Sequence, residues 1–235
     1  MRLCGNGSRN PRLIERCIPI LKRVLIMSSN KCPRYWQRAC AELSAKDPVM
    51  ANLIGRFKRS YLSGGRDAFT TLCRAVVGQQ ISLQAADNIW QRLEAHFGTM
   101  KPTAIHYCHF KTLRQCGLSA QKAQYLKNIA HFFVHQKITP AYWHRHEFEE
   151  LQNTLLAIKG IGYWTFEMFA IFYLKYPDIL PLGDLGLLNA IYKAYNHGKK
   201  LPAKRLAKIT KRWQPWCTVA TWYLWRSIDP EPVVY

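Results

Sequence analysis

The stretch Leu156-Ala-Ile-Lys-Gly-Ile-Gly-Tyr-Trp-Thr165 decides how this chain folds. Its two glycines interrupt a helical pattern of apolar residues, and they allow the backbone to turn tightly and to lie close to a ligand. We predict that one helix ends at Lys159, that Ile161 inserts between two helices, and that the next helix begins near Tyr163. The outward-pointing amides of such a turn form an anion site. A plain connection between two helices explains the glycines equally well.

The rest of the chain from Tyr35 onward also has helical spacing. Apolar residues recur every three or four positions after Ser82 and again after Ser119, and both serines are suitable N-caps. Gly98 is placed to end the helix that follows Ser82. No segment alternates as a strand does. The sequence therefore predicts an all-α fold with ten to twelve short helices.

The composition is strongly basic. The 235 residues include 34 Lys and Arg against 14 Asp and Glu, a formal charge of +20, and 49% of them are hydrophobic. The apolar content allows a real core, and the excess charge attracts polyanions. Nucleic acid is the first candidate because Lys and Arg neutralise phosphates. A membrane surface or ribosomal RNA explains the charge equally well.

Cysteines and histidines indicate neither disulfides nor a metal. The eight cysteines are scattered without a CxxC pair, so we expect reduced thiols rather than a disulfide framework. His106, Cys108 and His109 resemble metal ligands, but they lack a distant partner pair. We therefore expect no metal site. No apolar run approaches the roughly 20 residues of a membrane span.

Residues 1–30 differ from the remainder. They contain six Arg and Lys residues against a single acidic residue, Glu15. The basic and apolar segment from Leu13 to Met27 is either a transit-like or membrane-surface helix or a tail outside the fold. We favour the tail, and we expect the folded domain to comprise residues 31–235.

A second informative stretch is Leu180-Pro-Leu-Gly-Asp-Leu-Gly-Leu-Leu188. Asp184 precedes an apolar helical segment, so it is a candidate N-cap. Acidic residues are scarce here, and Asp184 lies among leucines beside glycines that permit close approach. The N-terminus of a helix also stabilises negative charge. Asp184 is thus either an ordinary cap or a functional carboxylate.

The order of these motifs resembles that of the helix-hairpin-helix DNA glycosylase superfamily, and in particular its 3-methyladenine DNA glycosylase II branch. The two glycines, the apolar helix after them and the Pro-x-Gly-Asp loop carry the resemblance, which extends roughly from Tyr35 to Asp229. Three further segments agree with that branch: Arg74-Ala-Val-Val-Gly-Gln-Gln-Ile-Ser82, Gly117-Leu-Ser-Ala-Gln-Lys-Ala-Gln-Tyr-Leu126 and Arg212-Trp-Gln-Pro-Trp-Cys-Thr-Val-Ala220.

The resemblance implies two helical lobes with an active-site cleft between them. It implies that Asp184 is the catalytic carboxylate, and that Gln80 fills the gap left by a flipped nucleotide. Trp164 and Trp225 would line the base pocket, with core packing as the alternative. The remaining residues implied in DNA binding are Lys159, Gly160, Ile161, Gly162, Thr165 and Gln79.

The expected activity is monofunctional hydrolysis of the N-glycosidic bond of alkylated bases in double-stranded DNA. Bifunctional relatives carry a lysine directly before the hairpin threonine, and Trp164 occupies that position here. The four-cysteine iron–sulfur motif and the extra N-terminal β-rich domain of other members are absent, so we expect a compact form without a cofactor. We expect a monomer with no membrane partner, in the cytoplasm or nucleoid, or in the nucleus of a eukaryote.

Two other functions remain open. One is an oxidised-purine or mismatch glycosylase of the same superfamily. The other is a non-catalytic DNA-binding protein that uses the hairpin as a phosphate clamp.

Overall fold

The structure is a computed structural model that describes residues 32–58, 60–63 and 66–229. This part of the chain contains thirteen α-helices and no β-strand, so the all-α prediction is confirmed. The expected number of helices was too low because three of them, α5, α6 and α8, have six residues each, too few to leave a periodic apolar stripe. The helices are α1 (Trp36–Lys46), α2 (Pro48–Arg56), α3 (Ala68–Gly78), α4 (Leu83–Phe97), α5 (Pro102–Tyr107), α6 (Phe110–Gln115), α7 (Ala120–His135), α8 (Pro140–Arg145), α9 (Phe148–Leu156), α10 (Tyr163–Phe172), α11 (Leu185–Asn196), α12 (Ala203–Lys211) and α13 (Cys217–Ile228).

The helix boundaries predicted from the sequence are confirmed, except at the end of α9. Ser82 and Ser119 accept hydrogen bonds from the backbone amides of Ala85 and Lys122, which confirms both N-caps. Gly98, with φ of 62°, follows the last residue of α4. Helix α9 ends at Leu156 rather than at Lys159. The chain leaves α9 in two tight turns, closed by hydrogen bonds from Ile158 N to Leu155 O and from Ile161 N to Ile158 O.

The helices form two lobes, as the resemblance implies. In one lobe, α7 packs on α3, α5 and α6, while α10 packs on α3 and α9. In the other, α13 packs on α1, α2 and α11. Arg212, directly after α12, pairs with Asp47 at the start of α2. The chain therefore leaves one lobe after α2, builds the other from α3 to α10, and returns with α11.

Each lobe has its own aromatic core. Trp143 contacts the rings of Phe133 and Phe169 in the lobe of α3 to α10. Trp36 contacts Trp222 in an edge-to-face arrangement in the other lobe, with ring centroids 5.4 Å apart. Burial of rings of this size is a large apolar contribution to the stability of each lobe.

The proposed N-terminal tail, residues 1–30, lies outside the described residues, so the domain boundary remains a prediction. Within the described ranges, no helix is both long and apolar enough to cross a membrane.

Candidate active site

Asp184 lies at the junction of the two lobes and is held by three donors. Its Oδ1 accepts hydrogen bonds from the backbone N–H of Leu187 at 2.6 Å and from Trp225 Nε1 at 3.1 Å. Its Oδ2 accepts one from Trp164 Nε1 at 2.9 Å. Asp184 is thus the N-cap of α11, as the sequence predicts. The two indole donors go beyond what a cap needs, and they fix the plane of the carboxylate.

The two tryptophans come from different lobes. Trp164 is the second residue of α10, whereas Trp225 belongs to α13. The sequence placed both in a base pocket, and the structure adds that their N–H groups donate to Asp184. Both side chains are half-buried. Trp225 stacks on Phe172, with ring centroids 5.9 Å apart and planes 9° from parallel. The carboxylate is therefore anchored to both sides of the cleft.

Gly186, in the first turn of α11, is one of the glycines that the sequence places beside Asp184. A Cβ atom at this position would lie 3.1 Å from Asp184 Oδ1 and 3.9 Å from Trp225 Nε1. Glycine thus leaves room for the carboxylate and the indole to meet. This agrees with the close approach that the sequence predicts beside Asp184.

The hairpin before α10 presents Gly162 to solvent. Gly162 is the N-cap of α10, no side chain caps it, and no heavy atom lies within 4 Å of where its Cβ would be. The first amides of a helix have no partner within the helix. The exposed end of α10 is therefore suited to an anion such as a DNA phosphate.

Gly160 has a different role from Gly162. Its φ is +115°, and a Cβ there would lie 2.3 Å from Cγ of Tyr125. The Tyr125 ring thus covers this face of the hairpin. Gly160 shapes the turn, while its carbonyl accepts a hydrogen bond from Gln79 Nε2 at 3.0 Å.

Two of the hairpin residues expected to contact DNA have buried side chains. Thr165 is 1% exposed, and its Oγ1 accepts a hydrogen bond from Gln79 Nε2 at 2.8 Å. Its hydroxyl therefore braces the hairpin against the end of α3, and the expected contact of Thr165 with a phosphate stays a prediction. The Gln79 amide is used in the same brace. Ile161 is 4% exposed, consistent with its expected insertion between helices.

Gln80 and Lys159 are exposed, as a contact with DNA requires. Gln80 lies in the turn between α3 and α4 with φ of +56°, a left-handed conformation that few non-glycine residues adopt. Lys122 holds this turn, because its Nζ donates to the carbonyls of Val77 and Gln79, both at 2.7 Å. Burial lowers the pKa of Lys122. Sequence reasoning did not single out Lys122.

The exposed apolar side chains of the described residues concentrate around these loops. Five of eight lie in the turn before α4, at the first residue of α4, at the first residue of α10, or beside Asp184. Tyr163 is 65% exposed and Leu185 is 74% exposed. The five are Ile81, Leu83, Tyr163, Leu182 and Leu185.

The geometry can be compared with known proteins. Residues 73–215 match the family described as "HhH-GPD superfamily base excision DNA repair protein". This chain belongs to that superfamily. The matched residues of this HhH-GPD protein include the hairpin and Asp184 but end before Trp225, so the role of Trp225 rests on its hydrogen bond to the carboxylate.

Relatives of this HhH-GPD protein include 3-methyladenine glycosylases. It is 34% identical over 185 residues to DNA-3-methyladenine glycosylase 1 of Schizosaccharomyces pombe, covering 76% of this chain and 80% of that protein. A structure of a Schizosaccharomyces pombe 3-methyladenine DNA glycosylase in complex with abasic DNA matches with a TM-score of 0.73 and 33% identity, covering 81% of this chain and 96% of that one. A DNA-3-methyladenine glycosidase from Bacillus halodurans matches with a TM-score of 0.66 and 31% identity, covering 80% and 88%. The resemblance to the 3-methyladenine branch is thereby confirmed.

Proposed function

We propose that this protein is a DNA glycosylase of base excision repair that hydrolyses the N-glycosidic bond of alkylated bases in duplex DNA, with Asp184 as its catalytic carboxylate. The observation that carries the role of Asp184 is the set of three donors that hold it between the two lobes. Membership of the superfamily and relatives named 3-methyladenine glycosylases support the activity.

A charged, fixed carboxylate suits this reaction. As the bond to the base breaks, positive charge develops at the sugar carbon, as it does in glycoside hydrolysis. A negative group oriented before the reaction stabilises that charge without reorganising. Asp184 would also orient the water that attacks the sugar carbon. The departing alkylated purine is already cationic at its ring, so this route needs no acid to protonate it.

The aromatic surroundings suit a cationic base. An enzyme that cuts at a base inside a duplex must first extrude it, and a weakly paired base costs less to extrude. Trp164 and Trp225 are half-buried beside Asp184, and Tyr163 is exposed next to Trp164. Aromatic faces attract cations by about 0.5–2 kcal/mol. We propose that these rings receive the flipped base, while Gln80 enters the gap it leaves.

The hairpin would hold the DNA backbone beside the lesion. Gly162 and Tyr163 are exposed at the start of α10, and Lys159, three residues before Gly162, is exposed as well. Trp164 links this hairpin directly to the carboxylate. Gly162, at the start of α10, is only two positions before Trp164, which donates to Asp184. A DNA phosphate bound at this helix end would therefore bring the neighbouring sugar close to the Asp184 carboxylate.

The Asp184→Asn variant tests this function. Its rate of base release from duplex DNA carrying a methylated purine should fall by about 100- to 1000-fold, since one preorganised group that stabilises transition-state charge is worth about 10²–10³ in rate. Binding to an abasic duplex should remain within a few-fold, because phosphates and stacking carry the affinity. Base release by chromatography and DNA binding by fluorescence anisotropy measure the two effects. Base release within a few-fold of wild type would contradict the assignment.

The same assay separates the alternative functions. Duplexes with an alkylated base, an oxidised guanine or a mismatch are compared under single-turnover conditions. Release confined to the oxidised or mismatched duplex would identify another glycosylase of the superfamily, and binding without any release would identify a DNA-binding protein. Because the substrate is DNA, we propose that the protein works in the cytoplasm or nucleoid, or in the nucleus of a eukaryote.

A further inference from the structure

Three histidines come together on the surface of the lobe formed by α3 to α10. His131 and His135 lie four residues apart in α7, so they share one face of that helix. His106 belongs to α5, which packs on α7. Each histidine offers one ring nitrogen, and these three nitrogens lie within 4.8 Å of one another. None of these residues takes part in the candidate active site.

We propose that His106, His131 and His135 bind a divalent transition metal ion such as Zn²⁺ through their imidazole nitrogens. Imidazole is a preferred ligand of Zn²⁺, Cu²⁺ and Ni²⁺. With Zn–N bonds of 2.0–2.1 Å, nitrogens in a tetrahedral site are about 3.4 Å apart. Because His131 and His135 are exposed, rotation of their side chains can shorten the nitrogen–nitrogen separations from within 4.8 Å to that value. Water would take the fourth position.

The backbone around His106 is already held in place. Lys127 Nζ donates to the carbonyl oxygens of His106, at 2.9 Å, and of Cys108. This fixes the end of α5 against α7 without using a histidine ring. Its charge opposes a bound cation, so we expect an affinity below that of a zinc centre with thiolate ligands.

The candidate metal ligands in the folded chain differ from the His106, Cys108 and His109 group that was considered in the sequence. Cys108 Sγ lies 3.3 Å from the carbonyl of Ile105 and donates to it, and His109 is an exposed N-cap of α6. His106 meets His131 and His135, which are 25 and 29 positions further along the chain. The expectation that the histidines form no metal site considered neighbours in sequence, and the packing of α5 on α7 supplies the missing partners.

A competing explanation is ring stacking alone. The His131 and His135 rings have centroids 4.0 Å apart and planes 35° apart, and both rings contact His106. Stacked imidazoles need no ion. The two explanations make different predictions. A metal site requires one-to-one binding that depends on all three imidazole rings, whereas stacking alone requires no metal binding.

Isothermal titration of the full-length, chelator-treated protein with Zn²⁺ distinguishes them. The wild type should bind one equivalent at this site, and His131→Gln and His135→Gln should each weaken that binding at least tenfold. His96→Gln is the matched control, since His96 is also exposed near the end of a helix. The control should bind as the wild type does. Without metal, both test variants should keep the wild-type melting temperature because the replaced side chains are exposed.

Spectroscopy then identifies the ligands. The Cu²⁺ form should show nitrogen hyperfine splitting in its electron paramagnetic resonance spectrum, and the Co²⁺ form should lack a thiolate charge-transfer band. Binding should weaken as the pH falls, since protons compete with the metal ion for the imidazole nitrogens. Absence of one-to-one binding, equal affinity in both test variants and the wild type, or thiolate ligation would each overturn the proposal. DNA repair activity enters none of these readouts.

Discussion

At the residue scale, the role proposed for Asp184 depends on the groups that hold its carboxylate in place. Two indole N–H groups and one backbone amide orient the carboxylate, and the indoles come from helices of opposite lobes. A tryptophan in this position has two separable parts. Its ring can pack against a base, and its N–H fixes the carboxylate. Replacement by phenylalanine keeps most of the ring that can pack against a base and removes the N–H that donates to the carboxylate.

Trp225→Phe and Trp164→Phe should each slow base release by about 10- to 100-fold, since a hydrogen bond to a charged group is worth about 1.5–3 kcal/mol. Abasic-DNA binding should change little. Single-turnover rates and anisotropy titrations separate the two effects. A loss of binding as large as the loss in rate would show that the rings serve mainly to hold DNA.

Gly186→Ala tests whether space beside Asp184 matters. The new methyl would lie 3.1 Å from Oδ1, so the carboxylate must shift by a few tenths of an ångström. Base release should fall about tenfold, because small displacements of a reacting group are costly. The melting temperature should hold or rise, since alanine is favoured over glycine within a helix by about 0.5–1 kcal/mol. Gly55→Ala, in α2 with nothing within 4 Å, is the control and should keep full activity.

At the element scale, α7 supports both the hairpin and the turn between α3 and α4. Lys122 binds the carbonyls at the end of α3, Tyr125 covers Gly160, and Asn128 Nδ2 donates to the Lys159 carbonyl at 2.8 Å. These three side chains follow the three-to-four-residue spacing of one helix face. The hairpin and the Gln80 turn are therefore supported by the same element.

The two hairpin glycines should respond differently to substitution. Gly162→Leu should leave the melting temperature nearly unchanged and weaken binding to all duplexes, because its side chain would occupy open space in front of the α10 amides. Gly160→Ala should lower the melting temperature, because alanine is strained at φ of +115° and would meet the Tyr125 ring. Thermal unfolding and anisotropy at several salt concentrations measure this. If Gly162→Leu weakens binding of lesion-bearing duplex alone, the phosphate role fails.

At the scale of the whole molecule, the reaction should stop at an abasic site. Trp164 stands where bifunctional relatives carry a lysine, and an indole forms no Schiff base. In this structure the same indole donates to Asp184. Borohydride should trap no covalent protein–DNA complex, and strand breaks should appear after alkali treatment alone. Efficient trapping that disappears when one lysine is replaced would instead indicate lyase chemistry.

The sequence by itself determined the local features. Helix starts at Ser82 and Ser119, the stop at Gly98 and the N-cap role of Asp184 follow from contacts between residues a few positions apart. The ordered motifs also predicted the superfamily that the comparisons confirm. Short-range hydrogen bonds leave a readable pattern because the same few residue types satisfy them in any protein.

Tertiary structure alone decided which distant groups meet. Trp225 is 41 residues from Asp184, Gln79 is 86 from Thr165, and Lys122 is 43 from Gln79. It also turned the Thr165 hydroxyl inward and brought His106 to His131 and His135. Sequence spacing does not reveal these pairs, since they depend on how the helices pack and on how the two lobes meet.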